Sequence, residues 1–228
     1  MKQIHFYFDF ISPYAWLAFQ ALPQTLKGIS HEVHYHPVVF GAMLKHHGQL
    51  GPAEILGKRD WTYRQVMWLA KQQGTDLKMP AAHPFNSLAL LRLAVAAAGT
   101  NASSNTQGQP NRYVVETIFK HVWCEGLEAT DPVRLATLQA HLFSQPSASF
   151  LDPQSAEVKQ LLQQQTQQAI DLGLFGVPSM VVDGQVFWGN DALPMLRAYL
   201  EGDAWFESAD WRDAGKLPVG IRRAPAAK

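Results

Sequence analysis

Ser12 is the first residue whose type and position suggest chemistry. It follows an apolar segment, residues 4–10, that is rich in aromatic and β-favouring side chains, and Pro13 comes next. This pattern predicts a strand that turns into a helix, because serine caps helix starts and proline suits the first helical position. A helix start favours an anion through its free N–H groups and its dipole. Ser12 is therefore a candidate anion-binding residue, although a plain helix cap would have the same local sequence.

Two further candidates lie towards the C-terminal end of the chain. Pro178 opens an apolar segment, residues 177–182, and would be an ordinary edge-strand proline if its peptide bond were trans. A cis bond would instead expose the N–H and C=O of Val177 to a peptide-like ligand. Asn190 and Asp191 follow a glycine at a predicted helix start. They are either a cap or a site for a ligand that carries a carboxylate and an ammonium group.

The overall composition excludes several other functions. Lys+Arg and Asp+Glu number 19 each, so no basic face is indicated and nucleic acid is not an expected partner. Cys124 is the only cysteine, which rules out an intrachain disulfide and a redox-active cysteine pair. The histidine spacings do not match a zinc site, and we expect no metal. We find no signal-peptide pattern and no bilayer-spanning segment, so we expect a cytoplasmic protein without a membrane partner.

The elements that must position these candidates follow a β-α-β, helical, β-β-α order. Residues 4–39 predict two strands around a helix, and residues 177–200 predict a hairpin followed by a last helix. A glycine-rich loop, residues 41–57, precedes the helical part. Five helices are predicted between the two β parts, with N-caps at Asp60, Asn86, Asp131 and Asp152.

This order predicts an α/β, thioredoxin-like fold with a large helical insertion. Residues 1–59 and 169–201 would form the thioredoxin-like domain, and residues 60–168 the helical insertion. Residues 202–228 contain proline, glycine and charged residues, and we expect them to form an irregular tail.

Motifs at the two ends of the chain together resemble a known family. Residues 8–18 (FDFISPYAWLA), 173–184 (GLFGVPSMVVDG) and 187–191 (FWGND) are similar to the signatures of 2-hydroxychromene-2-carboxylate isomerases. Those enzymes belong to the DsbA-like branch of the thioredoxin superfamily and are related to kappa-class glutathione transferases. The resemblance runs from about residue 3 to residue 200. The end motifs are specific in combination, whereas the helical insertion matches more loosely.

The resemblance implies glutathione as the cofactor and a role for each matching residue. Ser12 would hydrogen-bond the glutathione sulfur at the helix start. Val177 would pair with the backbone of the glutathione cysteine, and Pro178 would be cis. Asn190 and Asp191 would hold the γ-glutamyl group.

Three residues in or beside the glycine-rich loop complete the implied site. Lys45 falls where the family has a lysine near the substrate, and Lys58 falls where related proteins contact the glycyl carboxylate of glutathione. Gln49 stands where the family often has asparagine, which leaves the contribution of this loop and the exact substrate open. Family members often dimerise, so a homodimer is a further expectation.

The function implied by the resemblance is a glutathione-dependent isomerase of aromatic degradation. It would interconvert 2-hydroxychromene-2-carboxylate and trans-o-hydroxybenzylidenepyruvate, a small aromatic substrate and its product, by reversible thiolate addition. Two alternatives stay open: a kappa-like glutathione transferase acting on another electrophile, and a non-catalytic thioredoxin-like module that binds peptides. A dithiol oxidoreductase is excluded, because residues 12–15 at the helix start read SPYA and contain no cysteine.

Overall fold

A computed structural model describes residues 1–99, 107–144 and 150–221 of the chain. The strands in these ranges are β1 (Lys2–Phe8), β2 (His31–Pro37), β3 (Ser179–Val182) and β4 (Gln185–Trp188). The helices in the same ranges are α1 (Pro13–Thr25), α2 (Phe40–His46), α3 (Leu56–Gln73), α4 (Leu88–Ala97), α5 (Arg112–Trp123), α6 (Pro132–Phe143), α7 (Ala156–Asp171), α8 (Leu193–Leu200) and α9 (Ala209–Ala214). None of these helices is both long and apolar enough to cross a membrane.

The four strands form one mixed sheet in the order β2-β1-β3-β4. β1 and β2 are parallel, with Phe6 opposite Tyr35, and α1 is the crossover between them. β3 runs antiparallel to both β1 and β4, and the β3–β4 hairpin turns at Asp183-Gly184. The predicted α/β, thioredoxin-like fold with its block of helices between β2 and β3 is confirmed.

Side chains alternate across β1 and separate two hydrophobic clusters. Ile4, Phe6 and Phe8 are fully buried in the larger cluster, which also receives side chains from α1, α4 and α5. Tyr7 points to the other face and joins a smaller cluster. The members of that smaller cluster are Tyr7, Val38, Met43, Ala169, Leu174, Val177 and Val181. The smaller cluster matters for function because it holds α2 and the Val177 segment together.

Several predicted helix starts differ from those in the structure. The predicted glycine-rich loop contains α2, whose Met43 and Leu44 are buried by packing. α3 begins one turn before the predicted cap at Asp60. Ser87, not Asn86, stands at the N-cap of α4, and Ser155, not Asp152, caps α7. The Asp131 cap of α6 is confirmed, since its side chain accepts the N–H of Arg134 at 2.9 Å.

The predicted division of the chain also differs from the structure. The boundary between residues 59 and 60 falls inside α3, and the boundary between residues 168 and 169 falls inside α7. The tail is not irregular up to residue 214, because it contains a 3₁₀ turn, Ala204–Glu207, and the helix α9. Aromatic packing explains this order, since Phe206 contacts Phe187 and Tyr199. Residues 222–228 of the predicted tail lie outside the described ranges.

Candidate active site

Ser12 is the N-cap of α1, as its sequence position predicts. Its Oγ accepts the N–H of Ala15 at 3.2 Å and donates a longer bond, 3.4 Å, to the carbonyl oxygen of Val177. Ser12 is only 7% exposed, and the first turn of α1 contains no acidic residue. The Ser12 oxygen therefore accepts a hydrogen bond from the helix, while the hydroxyl hydrogen is donated to the Val177 carbonyl. Because that second bond is long, a stronger acceptor such as a thiolate could take its place.

Buried side chains hold the turn before Ser12 in place. Trp123 Nε1 donates to the carbonyl oxygen of Phe10 at 2.9 Å. His83 Nε2 lies 2.8 Å from the carbonyl oxygen of Ile11, and the Tyr63 hydroxyl lies 2.7 Å from His83 Nδ1. These contacts are consistent with a proton on Nε2 of the imidazole. Burial lowers the pKa of His83, which favours this neutral form. The turn is thus fixed before any ligand binds.

Asp9 lies beneath the same turn and is 1% exposed. Its Oδ1 accepts the N–H of Ile11 at 3.1 Å, and its Oδ2 accepts the N–H of Phe40 at 3.0 Å. Burial raises the pKa of Asp9 to about 6, although its hydrogen bonds favour the ionised form and partly oppose this effect. No motif or spacing predicted a role for Asp9. The available signal was a carboxylate between two buried aromatic residues, Phe8 and Phe10, which is rare unless the charge has partners.

The Val177–Pro178 peptide bond is cis, as expected from the resemblance. Val177 is 7% exposed, and its side chain belongs to the smaller hydrophobic cluster together with Met43 of α2. The carbonyl oxygen of Pro178 accepts the N–H of Gly189 at 2.9 Å. This bond joins the cis segment to the turn that carries Asn190, and it brings both parts of the C-terminal motif to the start of α1.

Asn190 and Asp191 lie in a 3₁₀ turn, Asn190–Ala192, that leads directly into α8, so the last helix, predicted from residue 192, begins one residue later at Leu193. Gly189 before them has a φ of 97°, and a Cβ there would overlap Asp191 Oδ1. Burial raises the pKa of Tyr14, and the Asp191 charge adds to that effect. The Asp191 charge thus acts on the Tyr14 hydroxyl of the first turn of α1, and Asp191 itself is exposed to solvent.

A cleft of about 810 Å³ borders the Asn190–Asp191 turn. It lies between the C-terminal half of α1, the end of α3 and the start of α8. Gln73 at its edge donates to Asn190 Oδ1 at 3.4 Å. The lining residues are Gln20, Ala21, Gln24, Thr25, Lys27, Gln73, Thr75, Asn190, Asp191, Leu193, Pro194 and Arg197. Ser12 does not line it, so the cleft extends the Asp191 side of the site.

Lys45, Gln49 and Lys58 lie on the surface of the protein. Lys45 is in the last turn of α2, and Gln49 follows that helix and donates its N–H to the Leu44 carbonyl oxygen at 2.9 Å. Lys58 lies in the first turn of α3. All three are exposed. The hydrogen bonds among the described residues do not join any of them to Ser12, Val177 or Asp191, and their roles stay predictions.

The chain's own thiol is not a second nucleophile of this site. Burial raises the pKa of Cys124 to about 11, with the nearby Asp76 adding to that effect. The thiolate is the reactive form, so this side chain is unreactive near neutral pH. Any thiolate chemistry at Ser12 therefore has to come from a bound molecule.

Comparison with known proteins assigns the family. The profile of the DSBA-like thioredoxin domain matches residues 3–201. The chain belongs to the DsbA-like thioredoxin family. Its relation to the 2-hydroxychromene-2-carboxylate isomerases and kappa-class transferases within this family is also confirmed by individual relatives.

Those relatives match along nearly their whole length. A 2-hydroxychromene-2-carboxylate isomerase of Sphingobium xenophagum is 28% identical over 200 residues, which cover 87% of this chain and 98% of the relative. Glutathione S-transferase kappa 2 of Caenorhabditis elegans is 23% identical over 211 residues, 87% of this chain and 92% of the relative. The structure of a 2-hydroxychromene-2-carboxylate isomerase superposes with a TM-score of 0.67 at 24% identity, covering 92% of this chain and 98% of that one.

Proposed function

We propose that this DsbA-like protein is a glutathione-dependent isomerase. Its reaction would interconvert 2-hydroxychromene-2-carboxylate and trans-o-hydroxybenzylidenepyruvate. The names of the relatives at about 28% identity support the isomerase class, and the kappa-class relatives support a glutathione site. A cytoplasmic location suits this chemistry, because that compartment keeps glutathione reduced.

The observation that carries the proposal is the position of the Ser12 hydroxyl. It lies at the start of α1, against the Val177 carbonyl and before the cis Pro178, and a backbone bond from Gly189 to Pro178 joins the turn that carries Asp191 to the same segment. The donor set fits glutathione: a hydroxyl hydrogen and a helix start for a thiolate, backbone groups of Val177 for a peptide, and a carboxylate for an ammonium group. When bound, glutathione supplies a thiolate that adds reversibly to the conjugated double bond and permits rotation about it.

The role of this protein in the reaction would be to keep the glutathione sulfur ionised. A free thiol has a pKa of ~8.5, so only a few per cent is thiolate near neutral pH. Each pKa unit of lowering requires ~1.4 kcal/mol of preferential binding to the thiolate. The Ser12 hydroxyl and the start of α1 together suffice for about one to two units, which makes roughly a quarter to three quarters of the thiol reactive at pH 7.

The remaining predicted residues would orient the two bound molecules. Asn190 and Asp191 would hold the γ-glutamyl group, and Lys58 would pair with the glycyl carboxylate. Lys45 would attract the substrate carboxylate, and Gln49 would contribute a neutral contact beside it. The bonds that pin Phe10 and Ile11 keep Ser12 from moving while these contacts form.

A glutathione titration by calorimetry tests the cofactor site. We expect the wild-type protein to bind reduced glutathione in the micromolar-to-millimolar range and Asp191→Ala to weaken that binding. Asp210→Ala is a matched control, since Asp210 is an exposed carboxylate on α9, outside the proposed site. No binding to the wild-type protein would remove the enzyme assignment and favour the peptide-binding alternative.

Measuring glutathione before and after the reaction distinguishes the isomerase from the kappa-like transferase. The kappa-class relatives are the reason to test this second function. The purified protein is incubated with 2-hydroxychromene-2-carboxylate and a limiting amount of glutathione. An isomerase forms many equivalents of product and leaves the thiol concentration unchanged. Consumption of one thiol for each product molecule would assign the transferase instead.

A further inference from the structure

Asp9 joins the two parts of the proposed site through one buried carboxylate. Building on the proposed function, we propose that Asp9 is a positioning residue that fixes the α2 lysine, Lys45, relative to Ser12. It would do so by binding the turn before Ser12 with one oxygen and the start of α2 with the other. Asp9 would touch neither glutathione nor the substrate.

The two carboxylate oxygens have separate partners. Oδ1 accepts the N–H of Ile11 at 3.1 Å, and Oδ2 accepts the N–H of Phe40 at 3.0 Å. Ser87 is a polar neighbour whose hydroxyl lowers the pKa of Asp9 and so favours the ionised carboxylate. Asp9 is 1% exposed, so water does not compete for these contacts. Hydrogen bonds to a buried ionised group are among the strong ones in proteins, and each fixes its partner closely.

One side of this link controls Ser12. The backbone N–H of Ser12 donates to the carbonyl oxygen of Asp9 at 3.0 Å, and Ile11, whose N–H binds Oδ1, is the residue directly before Ser12. The Asp9 side chain and backbone therefore close the turn that starts α1. This turn also receives the bonds of His83 and Trp123, so it is the fixed end of the link.

The other side controls α2. Phe40 is the first residue of α2, and Lys45 lies five residues further on, about 7.5 Å along the helix axis. The preceding N–H, that of Val39, donates to Thr166 Oγ1 of α7 at 3.0 Å. Thr166 anchors α2 to another helix, whereas Asp9 anchors it to the Ser12 turn. A shift of Phe40 would carry Lys45 with it, because a helical segment moves as a unit.

A carboxylate is required because both contacts are backbone donors. Asparagine has nearly the same shape but only one acceptor oxygen, and its NH₂ group is itself a donor. In Asp9→Asn the amide oxygen can keep the short local bond to Ile11, as asparagine does in turns. The NH₂ group would then face the Phe40 N–H, donor against donor. This substitution should release α2 and leave the Ser12 turn closed.

The test combines amide hydrogen exchange of the glutathione-free protein with steady-state kinetics. For Asp9→Asn we expect the Phe40 amide to exchange about 10- to 100-fold faster, as the loss of one hydrogen bond to a charged group predicts. The Ile11 amide should change less than about threefold. Ser87→Ala is the control, because it removes a hydroxyl that favours the ionised Asp9 carboxylate but keeps both backbone contacts. Urea unfolding of each variant verifies that it is folded.

Kinetics of Asp9→Asn, Lys45→Ala and the double variant then test the link to Lys45. If Asp9 acts by placing Lys45, each single variant raises KM for the chromene substrate about tenfold with little change in glutathione affinity. The double variant should then be no worse than Lys45→Ala alone. The inference would be overturned if the KM effects of the two single variants multiplied in the double variant. It would also be overturned if the exchange rate of the Phe40 amide were unchanged in Asp9→Asn. Absence of glutathione binding to the wild-type protein would overturn the proposed function instead, and the exchange measurement distinguishes the two because it needs no glutathione.

Discussion

Replacing Ser12 with alanine removes a single hydroxyl that has two separable contacts. One contact is structural, since Oγ caps α1 through the Ala15 N–H at 3.2 Å. The other is the hydrogen that now points at the Val177 carbonyl, 3.4 Å away, and that would turn to a bound thiolate. We expect Ser12→Ala to lower the free energy of unfolding and, independently, to raise the pKa of the glutathione thiol in the complex.

The two effects have different sizes and different readouts. Loss of a serine cap costs about 0.5–2 kcal/mol of stability. A hydrogen bond to a charged group contributes about 1.5–3 kcal/mol, which corresponds to a rise of about one to two pKa units. At neutral pH the thiolate fraction of bound glutathione would fall from roughly half to a few per cent. Turnover should fall about tenfold or more, because the thiolate is the reactive species.

The assay is a pH titration of the ultraviolet absorbance of the thiolate in the glutathione complex. Ser155→Ala is the matched control, since Ser155 caps α7 in the same way, with Oγ accepting the Val158 N–H at 3.2 Å. It should cost similar stability and leave the thiol pKa unchanged. If Ser12→Ala gives the same thiol titration as the wild-type complex, the hydroxyl does not stabilise the thiolate and the mechanism loses its central residue.

Three further predictions concern acid stability, the Asp191 turn and the free cysteine. Burial lowers the pKa of His36 to about 3, with the neighbouring His5 and His34 adding to that effect. His36 is therefore protonated in the unfolded chain at a higher pH than in the folded protein. The free energy of unfolding decreases as the pH falls from about 6.5 towards 3. Between pH 7 and about 4.5 the wild type should lose about 2.5 kcal/mol more than His36→Gln in urea unfolding. Equal losses would contradict the burial argument. Gly189→Ala should weaken glutathione binding, because a Cβ displaces the Asp191 carboxylate; Gly202→Ala, at a similar φ of 82° but with open space around it, should leave binding unchanged. Cys124→Ala should leave glutathione-dependent turnover intact, and lost turnover in a folded variant would show that this thiol takes part after all.

Local sequence patterns predicted the structure correctly where the stabilising contacts join residues only a few positions apart. Ser12 caps α1 through a residue three positions away, and Asp131 caps α6 in the same manner. The Asp183-Gly184 turn joins β3 to β4 with Asp183 at a φ of 49°. These features follow from backbone geometry and nearby side chains, so a single sequence is enough to place them.

Local patterns failed where burial by distant segments decides the structure. The segment that carries α2 has glycine at its second position and no capping side chain. Its Met43 is buried in the same hydrophobic cluster as Leu174 and Val177, which stabilises the helix. Ile55, an unusual N-cap, begins α3 ahead of the more favourable Asp60. Neither helix start has a strong local signal, and both depend on partners that the sequence does not reveal.

The amino-acid sequence is enough to place the strand–helix junction at Ser12, the closing hairpin, the order of elements and the motifs that identify the family. How these pieces assemble into a site depends on contacts that form in the folded chain. The tertiary structure brings the Ser12 hydroxyl to the carbonyl of Val177, 165 residues away, and gives Asp9 a part in both the α1 turn and α2. The physical reason is that caps and turns are satisfied within a few residues, whereas the partners of a buried polar group are known only once the chain has folded around it.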